Sequence, residues 1–253
     1  MLKKQGLLTL AMVSVLSCTE MKEDPIIIGH RGARGHVVEN SLPSIEKAID
    51  LGSDAIEIDV FKIADGSIIV FHDQTVDRLT QATGPIEAYR KETLDTLSLE
   101  GGVKIPTLAQ VLDLIDARVV LNVELKGAGT AKPVFDILQY YIDTKGWKLN
   151  DFIISSFRWD ELEAIRELSP QIPIGILTSE DIDGAILEGE KLDAVAIHPH
   201  FKSLNSQNVE RMHEKNFKIY PWTVNDTADI NAMKRFKVDG IITDYPDRIQ
   251  GSR

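Results

Sequence analysis

From residue 26 to the end of the chain, short runs rich in β-branched residues alternate with stretches of helical periodicity. Two strands can pair in parallel only if a crossover of a dozen or more residues joins them, and a helix is the usual crossover. The order therefore predicts a parallel sheet with crossover helices. Eight strands are expected, at residues 26–30, 55–61, 119–126, 152–156, 174–177, 194–198, 219–223 and 240–243. A ninth run, 67–71, follows Asp65-Gly66, a hairpin turn signal, and should pair locally after the second strand. Helical patterns fall at 41–51, 107–117, 133–144, 159–168, 182–190, 206–216 and 227–236; the weakest is 182–190, where Gly184 and Gly189 lower helix propensity. The chain has 253 residues, 43% of them apolar, enough for one core of the size that a (β/α)8 barrel fills. No internal repeat is visible. The expected architecture is an α/β fold, a single (β/α)8 TIM barrel over residues 26–253, with an open doubly wound sheet as the alternative.

The residues before the first strand read as an address. Lys3 and Lys4 precede the apolar run from Leu7 to Leu16, which is too short to span a bilayer and fits a signal peptide over residues 1–17. Val15-Leu16-Ser17-Cys18 resembles a bacterial lipobox. It implies export to the cell envelope and a lipid anchor on Cys18, the chain's only cysteine, with residues 18–25 as an acidic tether. Membrane association is expected through that lipid alone. A net charge of -11 argues against a nucleic-acid partner, since grip on a phosphate backbone needs a basic surface.

The chemistry concentrates where charged residues interrupt apolar strands. In Ala55-Ile56-Glu57-Ile58-Asp59-Val60-Phe61, alternation places Glu57 and Asp59 on one face and the aliphatic residues on the other. In a barrel the aliphatic face packs under helices, so both carboxylates should point inward near the C-terminal mouth. The same alternation puts Asn122, Glu124 and Lys126 together. Three crowded acids need a cation or a proton to offset their repulsion, and an all-oxygen set favours Mg or Ca over Zn. His30 ends the first strand and His72 the hairpin strand, positions suited to proton transfer near neutral pH.

Taken in order, His30-Arg31-Gly32, Glu39-Asn40-Ser41, Glu57-Ile58-Asp59, His72-Asp73 and Glu124-Leu125-Lys126 resemble the glycerophosphodiester phosphodiesterases. Weaker matches are 105–108, 221–225 and 239–244. The resemblance implies a barrel hydrolase that cuts small-molecule glycerophosphodiesters to glycerol 3-phosphate and an alcohol. It implies that Glu57, Asp59 and Glu124 hold the metal, that His30 and His72 act as acid and base, and that Arg31 and Lys126 bind phosphate. Trp222 is expected to line the substrate cleft. Glu39 and Asn40 are expected to serve the start of the first helix, with Asn40 or Ser41 as its cap. His198 and His200 share a strand face near the pocket, whereas His36 and His213 are expected in solvent. Residues 74–103 are too few to suggest a second domain. Two rival readings are a phospholipase acting on lysophospholipids or phosphoinositides on the same scaffold, and a non-catalytic anion-binding lipoprotein.

Overall fold

The computed structural model describes residues 24–250; the expected signal peptide, Cys18 and most of the tether lie outside them. Its strands are β1 (Ile26–His30), β2 (Ala55–Lys62), β3 (Ile68–Val70), β4 (Val120–Leu125), β5 (Phe152–Ser156), β6 (Ile174–Thr178), β7 (Ala196–Pro199), β8 (Lys218–Ile219) and β9 (Gly240–Thr243). All but β3 are parallel, in the order β8-β7-β6-β5-β4-β2-β1-β9, and β3 pairs antiparallel with β2. Backbone hydrogen bonds join the two ends of that path: Asp239 N–H to Ile219 O at 3.1 Å, Ile242 N–H to Pro221 O at 3.0 Å and Val224 N–H to Ile242 O at 2.9 Å. The sheet is thus a nearly closed eight-stranded barrel, and the open-sheet alternative is set aside.

Around it run α1 (Leu42–Asp50), α2 (Lys91–Leu94), α3 (Leu108–Ile115), α4 (Ala131–Lys145), α5 (Trp159–Leu168), α6 (Ile182–Lys191), α7 (Ser206–Glu214), α8 (Thr227–Phe236) and α9 (Pro246–Gln250). The short α2 and α9 were not expected from periodicity. α3 begins in a capping box between Thr107 and Gln110. α6 forms despite its glycines because the Asp181 side chain caps the N–H of Gly184. Gly189 is a packing requirement, since a Cβ there would lie 2.8 Å from Phe217 Cζ.

Alternation along the strands divides the core as expected. Ile56, Ile58 and Val60 share the main cluster with Leu108, Leu112 and Val123, between barrel and helices. Ile28, Ala55, Ala196, Tyr220 and Ile242 form a smaller cluster on the opposite, inner face. Residues 74–103 are not featureless. Val76, Ile86, Leu94 and Leu99 pack on Phe61, Ile69 and Phe71 to make a third cluster over the β2–β3 hairpin. Two strand boundaries need correcting. β7 starts at Ala196 rather than 194, because the N–H of Ala194 is spent on Gly189 O at the end of α6. The expected strand 219–223 keeps only Lys218–Ile219, since Pro199 and Pro221 lack the N–H groups that would extend the ladder; one isolated bridge, His200 to Trp222, remains beyond them.

Candidate active site

Strand register assembles the acidic residues. His30 lies opposite Glu57 and Glu57 opposite Asn122; two residues on, Asp59 lies opposite Glu124. Because in-register residues of a parallel sheet share a face, all five side chains enter the same inner surface. Glu57, Asp59 and Glu124 each bring a carboxylate oxygen within 4.8 Å of the others, and all three are buried. This is the cluster expected from alternation alone.

Burial, together with the negative neighbours Asp59 and Glu124, pushes the Glu57 carboxyl well above the usual carboxylate range. Burial and Asp59 likewise push Glu124 up to about 7. Asp59 goes the other way: burial would raise it, but Arg31, Lys126 and His72 outweigh burial, helped by a hydrogen bond from Asn40. Lys126 Nζ donates to Glu124 Oε1 at 2.8 Å and stands 3.6 Å from Asp59 Oδ1. Asn122 Oδ1, buried on the same wall, has no hydrogen-bond partner among the described residues. Three crowded carboxylates and one unsatisfied neutral oxygen make a donor set that a hard divalent cation fits.

Each predicted proton-transfer residue is oriented by a carboxylate. His30 Nδ1 lies 2.6 Å from Asp244 Oδ1, and Asp244 is itself fixed by Asn225, whose Nδ2 donates to Asp244 Oδ2 at 2.9 Å and whose Oδ1 accepts from the Asp244 N–H at 2.9 Å. His72 Nδ1 lies 2.6 Å from Asp73 Oδ1. With Nδ1 so engaged, Nε2 is the ring nitrogen left to face other partners. Burial is the leading reason that both histidines fall below the ordinary imidazole value. Asp73 is held at about 2, chiefly by hydrogen bonds from Arg78. The sequence alone assigns no role to the orienting groups Asp244, Asn225 and Arg78. Asp244 and Asn225 lay inside the weaker matched segments, whereas nothing in the pattern marked Arg78.

Arg31 is placed by an uncommon backbone. Its φ is 51°, which turns its N–H onto Glu57 Oε2 at 2.9 Å. Its guanidinium donates to Glu39 Oε1 at 2.7 Å, and its Nε lies 3.3 Å from Asp59 Oδ2. Gly32 follows at φ 85°, where a Cβ would come within 2.6 Å of the Ser44 backbone. Gly32→Ala is therefore expected to cost about 1–3 kcal/mol or more of stability, read as a lower thermal midpoint, with a wider loss of activity as Arg31 shifts. The helix-start roles expected for Glu39 and Asn40 are corrected. Ser41 caps α1, accepting from the Ser44 N–H. Asn40 instead braces Asp59, donating to its Oδ2 at 2.8 Å and accepting from its N–H at 3.2 Å. Buried Glu39 accepts from Arg31 and Arg78 and pairs with Arg34 at 3.0 Å. A single carboxylate thus anchors three guanidinium groups.

A cavity of about 120 Å³ opens at this end of the barrel, lined by His30, Arg31, Glu57, His72, Glu124, Lys126 and Trp222 among others. Seven of the eight residues expected at the site line it, and buried Asp59 is tied to them through Arg31 and Lys126. Trp222 donates from Nε1 to His198 O at 2.9 Å and meets Phe157 edge to face. His198 is not a pocket residue: its ring is fully buried inside the barrel against Tyr220, and burial pulls it down to about 3. His200 packs on Trp222. His36 is exposed, as expected, and pairs with Asp247, whereas His213 is half-buried and pairs with Asp239 rather than standing free in solvent.

The sequence model of the glycerophosphoryl diester phosphodiesterase family matches residues 30–248. The chain belongs to this family. It is accordingly a phosphoric diester hydrolase. A glycerophosphodiester phosphodiesterase of Caldanaerobacter subterraneus subsp. tengcongensis is 31% identical over 88% of this chain and 96% of its own length. One of Bacillus subtilis is 29% identical, covering 96% of this chain and 92% of its own length. Among solved structures, a phosphodiesterase of Oleispira antarctica in complex with the product sn-glycerol-3-phosphate superposes with a TM-score of 0.83 at 27% identity, over 90% of this chain and 96% of that one. A glycerophosphodiester phosphodiesterase of Parabacteroides distasonis gives 0.77 at 27% identity, over 91% of this chain and 97% of its own.

Proposed function

We propose that this family member hydrolyses glycerophosphodiesters to glycerol 3-phosphate and a free alcohol, with Glu57, Asp59 and Glu124 holding Mg or Ca and with His30 and His72 as acid and base. One observation carries the reading: a cluster of three buried carboxylates and two carboxylate-oriented imidazoles meet at one cavity. The bound glycerol phosphate of the Oleispira relative supports the substrate class. When bound, the cation supplies charge neutralisation at the phosphoryl oxygens.

Arg31 and Lys126 contribute further positive charge on the same wall and hold the phosphodiester anion. One imidazole takes the proton of the attacking hydroxyl at Nε2. The other gives a proton to the alcohol oxygen as its bond to phosphorus breaks. If the attacking group is the glycerol 2-hydroxyl, a cyclic phosphate forms first, and water opens it with the two proton transfers reversed. If it is water, glycerol 3-phosphate forms in one step. A diester lacking the 2-hydroxyl decides between them: turnover as fast as that of glycerophosphocholine would rule out the cyclic route. The substrate class is tested by following glycerol 3-phosphate release from a panel of glycerophosphodiesters, and by comparing choline release from glycerophosphocholine and from lysophosphatidylcholine. Turnover confined to lysophosphatidylcholine would favour the phospholipase reading instead.

Export and lipidation at Cys18 belong to the same proposal, on the strength of the Lys3-Lys4 and Leu7 to Leu16 pattern. Mass spectrometry of the mature protein should find an acylated Cys18 at its N-terminus. Cys18→Ser should release the protein from membranes without altering turnover.

A further inference from the structure

Arg78 lies within residues 74–103, outside the motifs that marked the site, yet it makes more bonds there than any other side chain of that segment. Its Nε donates to Asp73 Oδ2 at 2.6 Å and a terminal nitrogen to Asp73 Oδ1 at 3.0 Å. The terminal nitrogens also donate to Glu39, at 3.1 Å to Oε2 and 2.7 Å to Oε1. The first carboxylate holds His72 and the second holds Arg31. Glu39, His72 and Asp73 bring ligand atoms within 4.8 Å of one another, a spacing that would suit a metal ion. Here the guanidinium already supplies the cation, and its planar fork satisfies both carboxylates at once, which a lysine ammonium cannot do.

We propose that Arg78 is a positioning residue for hydrolysis: it locks the His72–Asp73 pair and the Arg31–Glu39 pair into one frame. The proton-exchanging nitrogen and the phosphate-holding guanidinium then keep a fixed separation across the cavity. The inference rests on the acid-base reading of His72 and the phosphate-holding reading of Arg31. The bland account, a staple for the 74–103 segment, predicts a different outcome. Arg78 is 45% exposed, and ion pairs so open to water add little to stability, so its variants should fold.

The test measures kcat and KM for glycerophosphocholine in excess magnesium with Arg78→Met, Arg78→Lys, Arg78→Ala, Asp73→Asn and the Arg78→Met, Asp73→Asn pair. His72→Gln is the control. The Arg78 variants should lose about 10- to 100-fold in kcat, the range seen when partners that orient a histidine are removed. Thermal midpoints should change little. Millimolar guanidinium should restore part of the turnover of Arg78→Ala, and ammonium should not. Adding Arg78→Met to Asp73→Asn should cost much less than Arg78→Met costs alone, because the two act in series. Nitrogen NMR, which needs no turnover, should show His72 protonated at Nδ1 in the wild type and a mixture of tautomers in Arg78→Met. Wild-type kcat in the Arg78 variants, fully additive losses, or losses that track unfolding would overturn the positioning role. A fully active His72→Gln would overturn the acid-base reading beneath it.

Discussion

His72→Gln and His30→Gln are each expected to lower kcat for glycerophosphocholine by roughly 10²- to 10⁴-fold, the usual contribution of a positioned acid or base. KM should change far less, since neither ring needs to hold the ground-state phosphate. The double variant should be little worse than either single one, because both proton transfers serve one displacement. Leaving-group chemistry separates the roles. A diester with a nitrophenyl leaving group needs no proton at the departing oxygen, so the variant lacking the acid should recover on it and the variant lacking the base should not. Equal loss of both variants on both substrates would remove the assignment of distinct roles. Asp244→Asn should resemble a milder His30→Gln, as Asp244 fixes the His30 ring through Nδ1.

The second large effect is expected from Glu124→Gln, with opposite signs for activity and stability. Turnover should fall by more than about 100-fold, the upper range for loss of a metal site's supporting partners, because here a proposed ligand itself is removed. Stability of the metal-free protein should rise. The carboxyl of Glu124 is raised from 4.5 to about 7 in the folded state by burial and by Asp59. Between those values the folded chain binds more protons than the unfolded one, so Glu124 makes stability fall as pH rises from about 4.5 to about 7. Glutamine has no such loss. The advantage of metal-free Glu124→Gln over metal-free wild type should therefore grow through that window and level off only once Glu57, which Glu124 helps to raise, has also ionised. Asp59, held below its ordinary value of 3.8, acts only at lower pH, and the histidine contributions cancel in the comparison. Denaturant melts at several pH values in the presence of chelator read the difference directly. A difference that does not change with pH would show that the carboxylates are not crowded as described.

What the sequence made legible follows from which physics is local. Period-two alternation in 55–61 and 119–126 was enough to send Glu57, Asp59 and Glu124 inward, because a strand has only two faces and the helices claim the aliphatic one. The barrel could be read from strand order for the same reason. The supporting contacts were not legible, because they join residues far apart in the chain. Asp244 reaches His30 across 214 positions, and Arg78 reaches Glu39 across 39. Nor does composition distinguish Asn40 as a cap from Asn40 as a brace on Asp59; only the left-handed turn at Arg31 and Asn40, with φ values of 51° and 53°, makes the second possible. The misjudged strand 219–223 is a local failure, where β-branched residues suggested a ladder that two prolines interrupt.

On the proposed reading, Glu57, Asp59 and Glu124 form one divalent-cation site on which hydrolysis depends. Calorimetric titration of metal-stripped protein with magnesium or calcium, with turnover of glycerophosphocholine followed at the same concentrations, decides whether that site exists. One cation per chain should bind with release of protons, as Glu57 and Glu124 ionise, and turnover should rise in step with occupancy. Full turnover in the metal-stripped protein, or binding unchanged by Glu57→Gln, Asp59→Asn and Glu124→Gln, would contradict it.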